Sequence, residues 1–434
     1  MSKIVRLSIL GAGTVGGGVL TLLRENADLL QAQTGKRFEV RHVLVRDPSK
    51  PRAVSIPPKL LTTDPQRAVC DPKVHVVLEL MGGLEPARML IRDALHAGKH
   101  VITANKWVMA VSGDELLHLA RRQGVRLLYE ASVAGSLPIL NALQGALAGN
   151  RIERVVGIVN STTNFILREM ERALDAGEPA ETAYANALRK AQEHGYAEAD
   201  PTSDVEGYDA QYKTAILARL AFLQYVPLES VYREGITHLS GRDLLWARRL
   251  GMGLKLLSIS ERLPDGRLCA RVHPTLIPRE CPLYVVRGAF SGIWLQGNGF
   301  QEMSLHGFGA GARATASAVL GDLIEVARHP KPPRHDDPSL RPGETAPIET
   351  LTTRYFVRLT APDEDTLRAL REPLRLLNAE FHPAEPLESG VEQVALTPPL
   401  NEGDFQAHIA RLREHTTATV QAIRVLSQSR NQGS

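Results

Sequence analysis

A short apolar run, Ile4–Leu10, ends in Gly11-Ala12-Gly13-Thr14-Val15-Gly16 and passes directly into a helical pattern that continues to about Leu30. A strand that breaks at G-x-G-x-x-G and opens a helix is compatible with few folds. The glycines permit a tight turn and let backbone N–H groups at the helix N-terminus approach a pyrophosphate. The alternation then repeats. Glu39–Val45, Val74–Leu80, His100–Thr103 and Val125–Glu130 read as strands, with helices predicted over Pro86–Ala97 and Asp114–Gln123. Strands alternating with helices predict a parallel sheet covered on its faces. In that setting the glycine loop reads as a dinucleotide fingerprint rather than a turn that merely packs.

A chain of 434 residues is too long for one ordinary core. Residues 1–135 are expected to form a Rossmann-type dinucleotide-binding domain. Beyond them, Arg154–Asn160 reads as a strand, followed by a long helix from about Asn164, a helix over 181–194 and another over Tyr208–Phe222. Leu268–Pro274, Tyr284–Phe290 and Ile293–Gln296 read as strands of a mixed sheet, so 136–328 is expected to be an α+β domain. Its last helix, Ala312–Arg328, is rich in small residues and is expected to complete the first domain. Pro330, Pro332, Pro333, Pro338, Pro342 and Pro347 can continue neither a helix nor a ladder, so 329–350 reads as a linker. From Leu351 to about Ser427 the order is strand, helix, strand, strand, helix, strand, a ferredoxin-like α/β unit placed within 351–434.

Composition narrows the partners. Hydrophobic residues make up 43% and charged residues 23%, as in soluble globular proteins. A net charge of +3 makes no case for nucleic acid or membrane. Apolar runs break well before the ~18 residues a span needs, and Met1–Leu10 lacks the features of a signal peptide. The three cysteines, Cys70, Cys269 and Cys281, have no metal-ligand spacing and fit a reducing cytoplasm.

The stretch Gly195–Lys213, GYAEADPTSDVEGYDAQYK, holds five carboxylates (Glu198, Asp200, Asp204, Glu206, Asp209) and one cation, Lys213. Four of the carboxylates lie in a loop broken by glycine and proline. Asp209 and Lys213 stand four apart where a helix begins. One reading is a surface ion pair worth roughly 0.3–0.5 kcal/mol. The other is a site that receives an ammonium group, with a lysine held to move a proton. Spacing alone leaves both open.

Ligands of an open parallel sheet bind outside the carboxyl ends of its strands, and several of these ends carry unusual residues. The second strand ends Val45-Arg46-Asp47: Arg46 favours a 2′-phosphate and hence NADP, while Asp47 keeps NAD open. Lys106 follows Thr103-Ala104-Asn105 and reads either as a carbonyl- or carboxylate-binding lysine or as a snorkelling surface residue. Glu130 opens the irregular turn Ala131-Ser132-Val133-Ala134-Gly135-Ser136-Leu137-Pro138. It reads either as an oxygen ligand for a hard cation or as a hydrogen-bonded loop carboxylate.

Taken in order, GAGTVG, the strand ending VRD, ELMGG, TANK, EASVAGSLPI, NSTTNFIL, GYAEADPTSDVEGYDAQYK and GFGAGARATASAV resemble the homoserine dehydrogenases over about residues 4–328. The acidic block is the most specific of these. The resemblance implies interconversion of L-homoserine and L-aspartate 4-semialdehyde with a nicotinamide cofactor, in threonine, methionine and isoleucine biosynthesis. It implies that Lys213 is the proton donor, with Asp209 its partner and Lys106 near both cofactor and substrate. Glu198, Asp204 and Thr162 then fall at substrate-binding positions. Gly11, Gly13, Thr14, Val15, Gly16, Arg46, Thr103, Ser132 and Gly309 line the cofactor. Glu130, Val133, Gly135 and Leu137 match a sodium-binding turn. The second domain becomes the catalytic and dimerisation domain of a homodimer or homotetramer. The tail resembles a regulatory ACT domain, for which threonine is the effector to test. With no kinase-like segment before the first strand, the monofunctional form is expected.

The chain departs from that pattern in three places. Ser161 stands where NGT is usual, Phe308 stands where a GPGAG loop has proline, with Ala314-Thr315 in place of the Pro-Thr that follows it, and Ala361-Pro362-Asp363-Glu364-Asp365 replaces the Pro-Gly at which ACT effectors often bind. Two rival readings are a nucleotide sensor without turnover and an amino-acid dehydrogenase with another substrate.

Overall fold

The structure is a computed structural model and describes residues 3–332, 341–414, 416 and 418–427. The first sheet consists of β1 (Ile4–Leu10), β2 (Arg37–Leu44), β3 (Leu61–Thr62), β4 (Val76–Glu79), β5 (His100–Thr103) and β6 (Leu127–Leu128). All five pairings are parallel and the order is β3-β2-β1-β4-β5-β6. The strand order reverses at β1/β4, which places the dinucleotide crevice beside the glycine loop. Val5, Leu7 and Ile9 alternate along β1 into one core with Val19, Leu20, Val319 and Leu323. The last two residues lie on the Ala312–Arg328 helix, which packs back onto this core. Gly18 makes the return feasible: a Cβ there would lie 2.3 Å from the Ala312 carbonyl oxygen.

Among the described residues the second sheet is mixed and has twelve strands. Its catalytic half runs Gln301–Phe308, Phe290–Gly297, Ile152–Ile158, Met252–Arg262 and Leu268–Pro278 in spatial order. Two of these elements differ from the sequence reading. Met252–Arg262 is a central strand buried along nearly its whole length, and a strand covered on both faces lacks the alternation by which strands are recognised. Tyr284–Phe290 is not a strand. A 3-10 turn covers Pro282–Val285 and a loop follows, with the strand beginning only at Phe290. Pro282 has no N–H to give to a ladder.

The C-terminal unit shares this sheet. Thr352–Ala361 lies between Thr419–Val425 and Gly390–Leu396, with Glu380–Phe381 outermost and every neighbour antiparallel. The Glu364–Arg375 and Glu402–Glu414 helices cover it through Leu367, Leu370, Phe405 and Ile409. A parallel ladder, Thr275↔Arg424 and Leu276↔Val425, joins it edge to edge with the catalytic half. The expected linker is only partly described, since 333–340, including Pro333 and Pro338, lie outside the described residues. Its later part is pinned rather than free. The Arg341 carbonyl accepts from Tyr225 N at 2.7 Å, Ala346 N donates to Leu268 O at 2.9 Å, and Ala346, Ile348 and Leu351 pack around Cys269.

Candidate active site

Three segments far apart in sequence meet at one carboxylate. Asp209 lies in the first turn of the Tyr208–Phe222 helix, where a negative charge suits the helix dipole. Lys213, one turn on, donates from Nζ to Asp209 Oδ2 at 2.7 Å and to the Val159 carbonyl at 2.8 Å. Lys106 opens the Lys106–Arg122 helix, which Asn105 caps, and brings its Nζ to 2.8 Å from Asp209 Oδ1. The two helices are clasped beside the site by Trp107 and Tyr212, stacked with ring centroids 5.8 Å apart. From the third segment, Asn160 Nδ2 donates to Asp209 Oδ2 at 2.8 Å and to Asp204 Oδ1 at 2.6 Å. Asn160 Oδ1 meanwhile caps the Ser161–Asp175 helix through Thr163 N. The sequence reading missed Asn160 as the hub, because at a helix start directly after a strand it reads only as a cap.

Burial and charge divide the labour among these groups. Burial opposes ionisation of Asp209, but the ammonium groups of Lys106 and Lys213 win and hold its carboxyl well below the usual range. Lys106 keeps 41% of its side chain exposed at the mouth, and the Asp209 charge raises its pKa. Lys213 is only 12% exposed. Burial lowers its pKa, with the Lys106 charge adding to the effect and Asp209 opposing it. Of two lysines on one carboxylate, Lys213 has its pKa lowered and Lys106 has its pKa raised. Burial and the neighbouring Asp209 charge raise the pKa of Asp204.

The other carboxylates of the acidic block sort by position. Glu198 is exposed, and its charge acts on Lys106. Asp200 accepts from Thr202 N and Oγ1, bracing the loop. Glu206 accepts from Thr237 Oγ1 at 2.9 Å. Thr162 spends its hydroxyl on the Tyr196 carbonyl at 2.9 Å and so ties the start of the block to the Ser161–Asp175 helix.

Beyond the carboxyl ends of β1, β2 and β4 lies a cleft of about 1270 Å³. Gly11, Gly13, Thr14 and Arg46 line it, together with Lys50, Arg52 and Arg313, which the sequence reading did not single out. Lys50 and Arg52 form a short basic run after Arg46, and that was the signal. Gly11 has φ +97° and passes within 2.8 Å, measured from a hypothetical Cβ, of the Leu80 carbonyl. A Cβ on Gly13 would meet nothing within 4 Å, so this part of the turn stands open to a ligand. The cleft thus fits a dinucleotide. Val15, Gly16, Thr103, Ser132 and Gly309 are not part of its lining. Thr103 is fully buried and its hydroxyl donates to Glu79 Oε2 at 2.6 Å. Ser132 is buried with its hydroxyl on the Tyr129 carbonyl. Gly309 packs against Gly135, Ser291 and Ser161.

At the expected sodium turn, each Glu130 carboxylate oxygen accepts a backbone N–H, from Leu140 at 2.9 Å and from Asn141 at 2.6 Å. Burial raises its pKa. Among the described residues the carbonyls of Val133 and Gly135 accept no backbone N–H, whereas the Leu137 carbonyl accepts from Ile139 N at 2.9 Å.

The sequence and the fold are matched by known proteins. Residues 11–130 match the family model described as homoserine dehydrogenase, NAD binding domain, and residues 138–324 the model described as homoserine dehydrogenase. The chain belongs to the homoserine dehydrogenase family. The homoserine dehydrogenase of Bacillus subtilis (strain 168) is 43% identical over 328 residues, covering 75% of this chain and 74% of that protein. The crystal structure of a homoserine dehydrogenase from Thiobacillus denitrificans superposes with a TM-score of 0.88 at 38% identity, covering 98% of both chains. A hyperthermophilic archaeal homoserine dehydrogenase in complex with NADPH superposes at 0.63 with 26% identity, covering 76% of this chain and 99% of that one. The protein is therefore an oxidoreductase with homoserine dehydrogenase activity and a nicotinamide dinucleotide cofactor, and the sensor reading falls away. No described helix is long and apolar enough to cross a membrane.

Proposed function

We propose that Lys213 delivers the proton to the aldehyde oxygen of L-aspartate 4-semialdehyde and, in reverse, takes the hydroxyl proton of L-homoserine. The observation that carries this reading is the convergence of Lys213 and Lys106 on one buried carboxylate, with only Lys213 shifted toward easy proton loss. The bound dinucleotide supplies hydride chemistry. Asp209 orients the Lys213 ammonium and balances its charge. Lys106, at the mouth, steadies the developing alkoxide. Glu198 and Asp204 receive the substrate ammonium, which would offset the burial and the Asp209 charge that raise the Asp204 pKa. Thr162 acts by holding the acidic loop in place. The decisive experiment is the kcat of Lys213→Ala with homoserine.

NADP is the cofactor we favour. Asp47 turns its carboxylate onto Ser49 N at 2.8 Å and Ser49 Oγ at 2.6 Å, which leaves Arg46, Lys50 and Arg52 to face the cleft. Arg46 and Lys50, with Arg52 bonded to the Asp47 and Lys50 carbonyls of the same loop and the nearest carboxylate engaged, suit a 2′-phosphate. Arg46→Ala is expected to lower the kcat/KM ratio of NADP over NAD by about tenfold or more, the loss of one charge-assisted contact. An unchanged ratio rejects the assignment. Thr103, Ser132 and Gly309 would then act from behind the cleft wall, as supports.

The free Val133 and Gly135 carbonyls beside Glu130 are consistent with a sodium site completed by Leu137. The βαββαβ strand order of the C-terminal unit supports an ACT-type regulatory role, and threonine is the effector proposed. We further propose a cytoplasmic homodimer or homotetramer, joined through the second domain, that serves threonine, methionine and isoleucine synthesis. Initial rates that ignore both sodium replacement by a bulky quaternary ammonium and added threonine would count against these assignments.

A further inference from the structure

A second cavity, of about 240 Å³, is walled by the Ser161–Asp175 and Gly241–Arg249 helices, the start of the Met252–Arg262 strand and the Pro282–Val285 turn. Its charged lining comprises four cations, Arg168, Arg248, Lys255 and Arg287, and two anions, Glu171 and Asp175. Both anions are engaged. Arg168 reaches Glu171 at 2.7 Å, and Arg248 is paired with Asp175. Four cations less two anions leave an excess of two positive charges, those of Lys255 and Arg287.

Lys255 is 4% exposed. Its ammonium donates to Asn164 Oδ1 at 2.9 Å and to the Val286 carbonyl at 2.8 Å, both neutral acceptors. A third N–H remains. A buried ammonium without a carboxylate is costly. Burial accordingly lowers the Lys255 pKa to about 8; Glu171 opposes this, while Arg287 and Arg168 add to it. The Arg287 side chain stands exposed at the rim and forms no ion pair among the described residues. The space equals about eight water volumes, enough for a tetrahedral oxyanion or a four-carbon dicarboxylate.

We propose that this cavity is a binding site for a small dianion, whose two charges are met by Lys255 and Arg287. The site connects to the Gly309 turn through one loop. Asn164 Nδ2 donates to the Gly288 and Phe290 carbonyls at 3.0 and 3.1 Å, and the Ala289 carbonyl between them accepts from Gly309 N at 3.4 Å. An occupant held by Lys255 therefore braces the loop on which Gly309 rests.

The test is calorimetric titration of the full-length enzyme with sulfate, succinate and acetate at constant ionic strength. NADP is kept saturating so that the dinucleotide cleft is filled. Saturable binding of sulfate or succinate, tighter than acetate and weakened about tenfold or more in Arg287→Gln, is the expected result. The tighter of the two dianions identifies the natural ligand as phosphate-like or dicarboxylate-like. Sulfate keeps its charge across the range, so its affinity should also fall as pH rises through about 8 and Lys255 loses its proton. Turnover of Arg287→Gln without added dianion should match the wild type. Absence of saturable binding by both dianions, equal affinity in Arg287→Gln, or acetate binding as tightly as either dianion overturns the proposal.

Discussion

Replacing Lys213 with alanine is expected to lower kcat by ~10²–10⁴, the usual worth of a positioned proton donor, while the KM for homoserine changes far less. The proposed mechanism assigns the proton to Lys213 alone and the substrate ammonium to Glu198 and Asp204. A surface ion pair between Asp209 and Lys213 would contribute only roughly 0.3–0.5 kcal/mol of stability and nothing to kcat. A near-normal kcat in Lys213→Ala would therefore remove the mechanism. The pH dependence gives the same residue a signature. Reduction needs Lys213 charged, so its rate falls as pH rises through the lysine pKa; oxidation needs it neutral, so that rate rises through the same point. Because burial lowers the value, both limbs should lie below 10.5, the ordinary lysine value. Lys213→Arg keeps the charge but cannot release the proton, so it should abolish the limb as well as the rate.

Asp209→Ala is expected to cost both stability and turnover. It strands two ammonium groups that share this one counter-ion at 2.7 and 2.8 Å. Breaking a buried pair by removing one partner typically costs about 3–5 kcal/mol. The Lys106 end is partly solvated and softens the loss, so a denaturant midpoint should register the lower part of that range. The folded pKa of Asp209 is depressed. Its stabilising contribution is therefore present above the ordinary carboxylate value of 3.8 and fades as pH falls toward the depressed one. Wild type should lose stability in that acid window, and Asp209→Ala should lack this component. Without Asp209, the Lys213 pKa falls further, and the oxidative limb should move to lower pH. An unmoved limb would mean that the pair is not coupled in solution.

Much of the site was legible along the chain because its parts keep local signatures. The glycine loop must follow a strand and open a helix to do its work, and Asp209 and Lys213 lie one helical turn apart. The acidic residues cluster because one loop presents them. Asn160 was not legible as the hub, since an asparagine at a helix start reads as a cap and nothing more. Its second role appears only when Asp204 and Asp209 fold against it. The strand Met252–Arg262 was missed for a related reason: covered on both faces, it shows no period of two. The proline-rich segment reads as free because proline excludes helix and ladder, yet the residues from Arg341 onward are held by a neighbouring strand and the Cys269 cluster.

The sequence by itself determined the doubly covered parallel sheet, the dinucleotide turn, the acidic block and the family, because each is carried by spacing within one segment. Only the tertiary structure decided that Lys106, from a different domain, shares Asp209 with Lys213. It also decided that the C-terminal strands extend the catalytic sheet and that Lys255 and Arg287 face one cavity. Such features depend on distances between segments tens to hundreds of residues apart. Packing sets those distances, together with the burial that moves the pKa of Lys213, and no local pattern of residues encodes them.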